Sequence, residues 1–328
     1  MGFSQIIGHQ KQLEVVRQAL NHGRLHHAYL FAGMEGVGKR TIALALAKAI
    51  HCSAPSGDFC GECADCIRIQ DGNHPDVRIL GLLAGKKEIS IQQIRELEKE
   101  LNFRSFSGKK KIAVLDPATL MNLSAQNALL KTLEEPPQES LLILIASNGG
   151  ALLPTLRSRC LRVSFGPLAR ELVSGFLISH KGMDGETAEF LGAMSLGSLG
   201  AAVSMETQGL LERRREWIRL VCSMRGGDYR AASDAAEVLA GSKEDCIRFL
   251  QWVESWFRDL LAFGVTRNPR DVINLDMLPQ IQQQLTTTDY ERLFARIAEA
   301  KAALEGIQRN LNRRLILEDL LLNTVEAS

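Results

Sequence analysis

From residue 29 to residue 50 the chain reads YLFAGMEGVGKRTIALALAKAI: a short apolar strand, a glycine-rich loop, then an Ala/Leu-rich helix. No other feature constrains the fold as strongly. Gly33-x-x-x-x-Gly38-Lys39 has the spacing of a phosphate-binding loop. In such a loop, backbone N–H groups at a helix N-terminus wrap phosphate oxygens and the lysine reaches the outer ones. The motif needs a strand before it and a helix after it, and both are present.

Four more apolar strands follow, over 77–80, 111–116, 141–147 and 161–165. Helical patterns separate them. Ile91, Ile94, Leu97 and Leu101 recur at three- and four-residue steps. The helix over 125–135 stops at Pro136-Pro137. Apolar strands alternating with helices predict a parallel sheet covered on both faces. After Phe165 the strand signals stop. Short helical patterns broken at Gly182, Gly185, Gly197 and Gly200 come next, and from Gly209 the chain reads as helix throughout. A chain of 328 residues exceeds one ordinary core. The expected layout is an α/β domain over 1–165, a small helical domain over 166–206 and a helical C-terminal domain over 207–328.

The loop lacks parts that hydrolysis requires. A Ser or Thr hydroxyl should follow the lysine to hold Mg²⁺, and the residue there is Arg40. Thr41 comes one position later, where a register shift would recover a hydroxyl. Asp116 ends its strand where a carboxylate holds metal through water. The next residue, where a general base is expected, is Pro117, which cannot accept a proton. The sequence predicts weak or absent hydrolysis and leaves nucleotide binding, as ATP or ADP, open.

A second motif is Cys52-x7-Cys60-x2-Cys63-x2-Cys66. Four thiolates at this spacing match a closed tetrahedral zinc site, whose role is to fold a loop rather than to catalyse. An iron–sulfur cluster and four unligated thiols are the rival readings. Cys160, Cys222 and Cys246 are scattered and read as small core residues. No N-terminal signal pattern and no apolar run of membrane-spanning length are found, so the chain reads as cytoplasmic, without a membrane partner.

Two further stretches, NALLKTLEEPP (127–137) and LRSRC (156–160), together with a cysteine knuckle inserted after the phosphate-loop helix, resemble the clamp-loader branch of the AAA+ ATPases. HHAYLFAG and NHPDV resemble one of its members closely, and the likeness is strongest over the first 165 residues. The resemblance implies a RecA-like AAA+ domain with a zinc knuckle (52–66), a helical lid and an all-α collar domain that assembles with sister subunits. It implies a ring-opening complex that loads a sliding clamp onto primed DNA, with gamma/tau and delta subunits as neighbours. Within that branch the chain resembles a stationary, non-motor member. The arginine of Ser-Arg-Cys, Arg159, is then expected to act in trans on a neighbour's ATP as an arginine finger; its alternative is a simple ion pair with a carboxylate.

Under the same resemblance, Gly33, Gly36, Val37, Gly38, Lys39, Arg40 and Thr41, with Asp116 and Asn148, are the nucleotide-binding candidates. Ser147-Asn148 matches a γ-phosphate-sensing position, or caps a turn. Motor subunits carry a lid arginine after a Gly-Ser pair, and in GSLG that place is Gly200. Arg40, Pro117 and Gly200 are three losses in one site. Two rival functions stay open: an active gamma/tau-type ATPase and a stand-alone zinc-containing DNA-binding module. The net charge of +1, from 39 basic and 38 acidic side chains, argues against the second. Lys109-Lys110-Lys111 reads as a solvated turn or a phosphate contact. ERRREW (212–217) reads as a solvated helix face, and Trp252, Trp256 and Phe257 read as core.

Overall fold

The computed structural model describes residues 2–54, 57–207, 209, 212–214, 216–217, 228–285 and 290–325; Cys222 lies outside them. It has two compact units, Met1–Val173 with Leu196–Ala201, and Ser174–Ser195 with Ala202–Ser328.

The first unit holds a five-stranded parallel sheet: β1 Ala28–Ala32, β2 Val77–Leu80, β3 Lys111–Leu115, β4 Ser140–Ala146 and β5 Leu161–Ser164. Its order is β2-β3-β4-β1-β5. Side chains alternate between two cores, because successive Cβ atoms on a strand point to opposite faces. Tyr29, Phe31, Ile112, Val114, Ile143 and Ile145 face α1 (Gln10–Asn21), α2 (Lys39–His51) and α3 (Ala64–Gln70). Leu30, Ala113, Leu115, Leu142 and Leu144 face α4 (Ile91–Asn102) and α5 (Leu123–Glu134). Each fully buried Leu, Ile or Phe contributes about 1.5–3 kcal/mol, so burial on both faces explains why the inner strands β1, β3 and β4 carry almost no polar residue.

The helices begin and end for local reasons. Gln93 reaches back to accept from the Ser90 N–H at the start of α4 (3.1 Å). Asn122 Oδ1 accepts from Ala125 N at the start of α5 (2.9 Å). The helical face expected from the spacing is present: Ile94, Leu97 and Leu101 are buried.

A short helix, α6 Pro154–Arg157, precedes β5, and α7 (Arg170–Lys181), α8 (Gly185–Met194) and α9 (Leu199–Thr207) follow it. Gly185 and Gly200 therefore do not break helices as expected; they sit in first turns, where Asp184 and Ser198 receive the exposed N–H groups of Thr187 and Ala201.

The second unit is helical among the described residues, with α10 (Tyr229–Leu239), α11 (Lys243–Thr266), α12 (Leu278–Gln284), α13 (Tyr290–Gln308) and α14 (Arg313–Val325). The stretch read as one continuous helix after residue 290 breaks at Asn310, whose φ of 62° is left-handed. Leu311 N donates to Gly306 O and Asn310 N to Ile307 O, a helix stop that needs a residue tolerant of that region. Trp252 and Phe257 are buried in this unit, with Trp252 ringed by Trp217, Phe249 and Trp256. In the stretch 212–217, Glu212 and Glu216 are exposed as a solvated face requires, but Arg214 departs from it. Arg214 is buried, stacks on Phe190 and pairs with Asp276, because a guanidinium with aromatic and carboxylate partners tolerates burial.

Candidate functional site: a phosphate loop and a cysteine knuckle

The phosphate loop leaves β1 at the carboxyl edge of the sheet, the edge where open parallel sheets bind ligands. Asp116 follows β3 and Ser147-Asn148 follows β4, so the topology gathers these candidates at that edge although they lie far apart in sequence. Gly33, with φ 157°, passes so close to β5 that a Cβ would stand 2.2 Å from Phe165 O. Gly38 (φ 108°) caps α2 in a left-handed conformation.

The side chains at this edge are tied to the loop and to one another. Lys39 is only 6% exposed and curls onto its own loop, donating to Gly33 O (2.6 Å) and Met34 O (2.7 Å). Burial pushes its pKa down, against the opposing charges of Asp116 and Glu35. Arg40 Nη1 lies 3.3 Å from Asp116 Oδ2, so the carboxylate at the metal position is paired with a guanidinium. The arginine is 55% exposed, which keeps this pair at about 1 kcal/mol or less. Thr41 is exposed, and Val37 is buried. Asn148 is exposed and its side chain accepts from Gly150 N (2.8 Å), a turn cap.

Residues outside the motif hold the loop, and no local pattern marks them. His9 Nε2 bonds Val37 O at 2.8 Å. Ser198 Oγ donates to Glu35 O (2.8 Å) and Gly200 N to Gly36 O (2.9 Å). A Cβ on Gly200 would stand 2.9 Å from Gly36 Cα. The backbone at the lid-arginine place is therefore packed against the loop.

Arg159 sits on the turn between α6 and β5. Its guanidinium bonds Thr155 O (2.9 Å) and pairs with Glu134 at 2.7 Å, with the two side chains 37% and 52% exposed. The carboxylate partner weighed in the sequence is thus found within the chain.

The knuckle joins α2 to α3. The Sγ atoms of Cys52, Cys60, Cys63 and Cys66 lie within 4.8 Å of one another. Cys52 and Cys60 stand 3.6 Å apart, and Cys63 and Cys52 3.9 Å. A tetrahedron with metal–sulfur bonds of about 2.3 Å needs sulfurs about 3.8 Å apart, so the donors fit zinc. Backbone N–H groups of Ala54 and Cys60 point at Cys52 Sγ, and those of Glu62 and Cys63 at Cys60 Sγ. Such donors stabilise thiolates: N–H bonds from the backbone, first from Ser53, hold Cys63 down at about 6, and those of Glu62 and Cys63 lower Cys60. Burial instead pushes the Cys66 thiol up to about 12. A divalent cation supplies the charge that lets a buried thiol ionise.

A buried trio the sequence did not single out, His51, His74 and Asp76, lies beside the knuckle. Asp76 N donates to His74 Nδ1 (3.1 Å), which fixes the ring proton on Nε2, 3.5 Å from Asp65. In that tautomer the one lone pair of the His74 ring, on Nδ1, is engaged by the Asp76 N–H. Asp76 accepts from Ser105 Oγ, Phe106 N and Ser107 N. Burial pushes its carboxyl up, but these donors outweigh it and hold the group at about 2. In the lysine run Lys109 is exposed, as a solvated turn requires, but each lysine also has a polar partner. Lys109 bonds His51 O and Cys52 O, Lys110 pairs with Glu139, and Lys111 bonds Glu100 O.

Sheet order, phosphate loop and knuckle define a RecA-like domain of the AAA+ type with a zinc-compatible cysteine cluster, followed in sequence by helices. The family model for DNA polymerase III, delta subunit, matches residues 8–169, and its companion for the C-terminal part of the same polymerase III protein matches 208–326. DNA polymerase III subunit delta' of Pseudomonas aeruginosa is 32% identical over 302 residues, covering 90% of each chain. The Escherichia coli K12 subunit delta' is 29% identical, over 92% of this chain and 89% of its own. The tau subunit of the same organism is 28% identical over 74% of this chain but only 36% of its own length. Among solved structures, a gamma subunit-related protein of Thermotoga maritima aligns with 96% of this chain and 99% of its own at 20% identity and a TM-score of 0.43. The chain belongs to the DNA polymerase III delta' family. No helix among the described residues is long and apolar enough to cross a membrane.

Proposed function

We propose that the chain is a non-motor subunit of a clamp-loading complex, with gamma/tau and delta subunits as neighbours and the sliding clamp and primed DNA as the substrates of the whole assembly, in the cytoplasm. Three parts divide the work: the AAA+ domain over 1–165 with its zinc knuckle, a lid over 166–206 and a collar domain over 207–328. The observation that carries the non-motor reading is the pairing of Asp116 with Arg40, beside Pro117. Arg40 supplies no hydroxyl for Mg²⁺ and competes with it for the Asp116 carboxylate, and Pro117, at the place of the general base, cannot activate water.

In this reading Arg159 is lent to a neighbour's ATP. Its pair with Glu134 is solvent-exposed, so releasing it costs about 1 kcal/mol or less. The four cysteines hold structural zinc. The phosphate loop, through Gly33, Gly36, Val37, Gly38, Lys39, Arg40, Thr41, Asp116 and Asn148, is a candidate for ATP or ADP without turnover. The test is ATP hydrolysis by the purified chain. No turnover is expected; turnover that disappears with Lys39→Ala would favour a gamma/tau-type motor instead. Tight, salt-sensitive DNA binding by the isolated chain would favour the stand-alone DNA-binding module.

A further inference from the structure

The zinc knuckle has no catalytic task, yet it is not isolated from the surface around it. The loop from Phe103 to Lys109 buries little apolar surface: Phe103 and Phe106 are 68% and 82% exposed. Its position comes from polar bonds, and they end at two places. One is Asp76, which accepts from Ser105, Phe106 and Ser107. The other is the root of the knuckle. Ser107 Oγ stands 3.2 Å from Nδ1 of the buried His51. Lys109 Nζ donates to both His51 O and Cys52 O at 3.0 Å. These are carbonyls at the end of α2, which lack helical partners and carry the negative end of the helix dipole. Cys52 is also the first of the four sulfur donors. The residue that begins the metal shell is therefore the residue that Lys109 grips.

We propose that metal binding at the knuckle and the order of the 103–109 loop are coupled, so that zinc fixes where Phe103 and Phe106 stand. This rests on the reading of Cys52, Cys60, Cys63 and Cys66 as a zinc site. A helix end frays unless the chain beyond it is tied down. With Cys52 ligated, its carbonyl and that of His51 are held in place and Lys109 bridges them. With the shell dissolved, the end of α2 loosens, Lys109 loses its two acceptors, and the bonds to Asp76, left as the main ties of the loop, open more often. Coupling is reciprocal. A substitution that frees the loop must weaken zinc binding, although it touches no ligand.

The test uses the full chain. Zinc per chain is measured first; its absence sinks the metal reading itself. With zinc present, hydrogen exchange at Phe106 and Ser107, whose amides bond Asp76, is followed before and after removal of the metal by a chelator. Exchange at least about fivefold faster, with β3 and β4 unchanged, is expected. Equal exchange in the two forms overturns the coupling.

If the metal-free chain unfolds altogether, the zinc-loaded variants decide. Lys109→Ala is expected to weaken zinc affinity at least about fivefold in chelator competition and to speed loop exchange with the metal still bound. Lys110→Ala, which removes an equal charge but only the outward pair with Glu139, is expected to do neither. Unchanged affinity in Lys109→Ala, or the same weakening in both variants, overturns the proposal.

Discussion

The phosphate loop and the cysteine knuckle are joined by a single helix, α2, and differ in what each has kept. The loop has its backbone: the strand, the glycines, the left-handed cap at Gly38 and a buried Lys39. At the place of the metal hydroxyl stands Arg40, which pairs with the Asp116 carboxylate, and Pro117 follows that carboxylate. The knuckle has its full donor set, at spacings a metal shell requires, with backbone N–H groups aimed at the sulfurs. A scaffold motif is maintained by packing, since replacing Gly33 or Gly36 would drive a Cβ into Phe165 or Ser198. A reactive site persists only while every participating side chain remains. Under the proposed non-motor reading, fold and activity part company within one helix length.

The largest effect expected on this contrast is at the knuckle. Cys63→Ser should abolish zinc binding, which contributes on the order of 10 kcal/mol in small structural sites, and should loosen residues 52–70 while the sheet stays intact. Metal analysis with hydrogen exchange checks it; a variant that retains full zinc would break the contrast.

Next is Arg159→Ala. The isolated chain should lose less than about 1 kcal/mol of stability, since the pair with Glu134 is exposed. The ATPase of a reconstituted complex should fall at least about tenfold, because an arginine supplied in trans is worth up to about 10⁵ in rate. An unchanged rate would remove Arg159 from the site.

Gly200→Arg sharpens the comparison from the other side. It restores the residue type that motors carry, yet its Cβ would stand 2.9 Å from Gly36 Cα. The variant should be destabilised by about 1–3 kcal/mol in a denaturant titration and gain no turnover.

The smallest change expected is Arg40→Ala, within about 1 kcal/mol in the same titration. A larger loss would make the Arg40–Asp116 pair a structural lock rather than a surface contact.

Much of this was legible in the chain. The five strands fall within a residue or two of their expected bounds: β1, β3 and β4 are buried throughout and read as nearly unbroken apolar runs, and the edge strands β2 and β5 are short segments that still carry apolar residues. The knuckle was legible because metal-ligand spacing is a local property. Other features were not. Gly185 and Gly200 read as helix breakers and instead begin helices, since side-chain caps at Asp184 and Ser198 satisfy the first turns. Lys109 and Arg214 read as solvated charges, and each found partners from distant segments: His51 and Cys52 for one, Phe190 and Asp276 for the other. His9 and Ser198 hold the phosphate loop with no motif to announce them.

The sequence by itself determined the alternating sheet, the phosphate loop, the four sulfur donors and the placing of Arg40 and Pro117, for each is written in neighbouring positions or in residue type. Only the tertiary structure decided which charge meets which partner: Arg40 with Asp116, Arg159 with Glu134, Lys109 with the end of α2. Those pairs join residues as much as 76 positions apart, and no local pattern encodes a contact made by folding. A long flexible side chain takes whatever partner the packed backbone places within its reach.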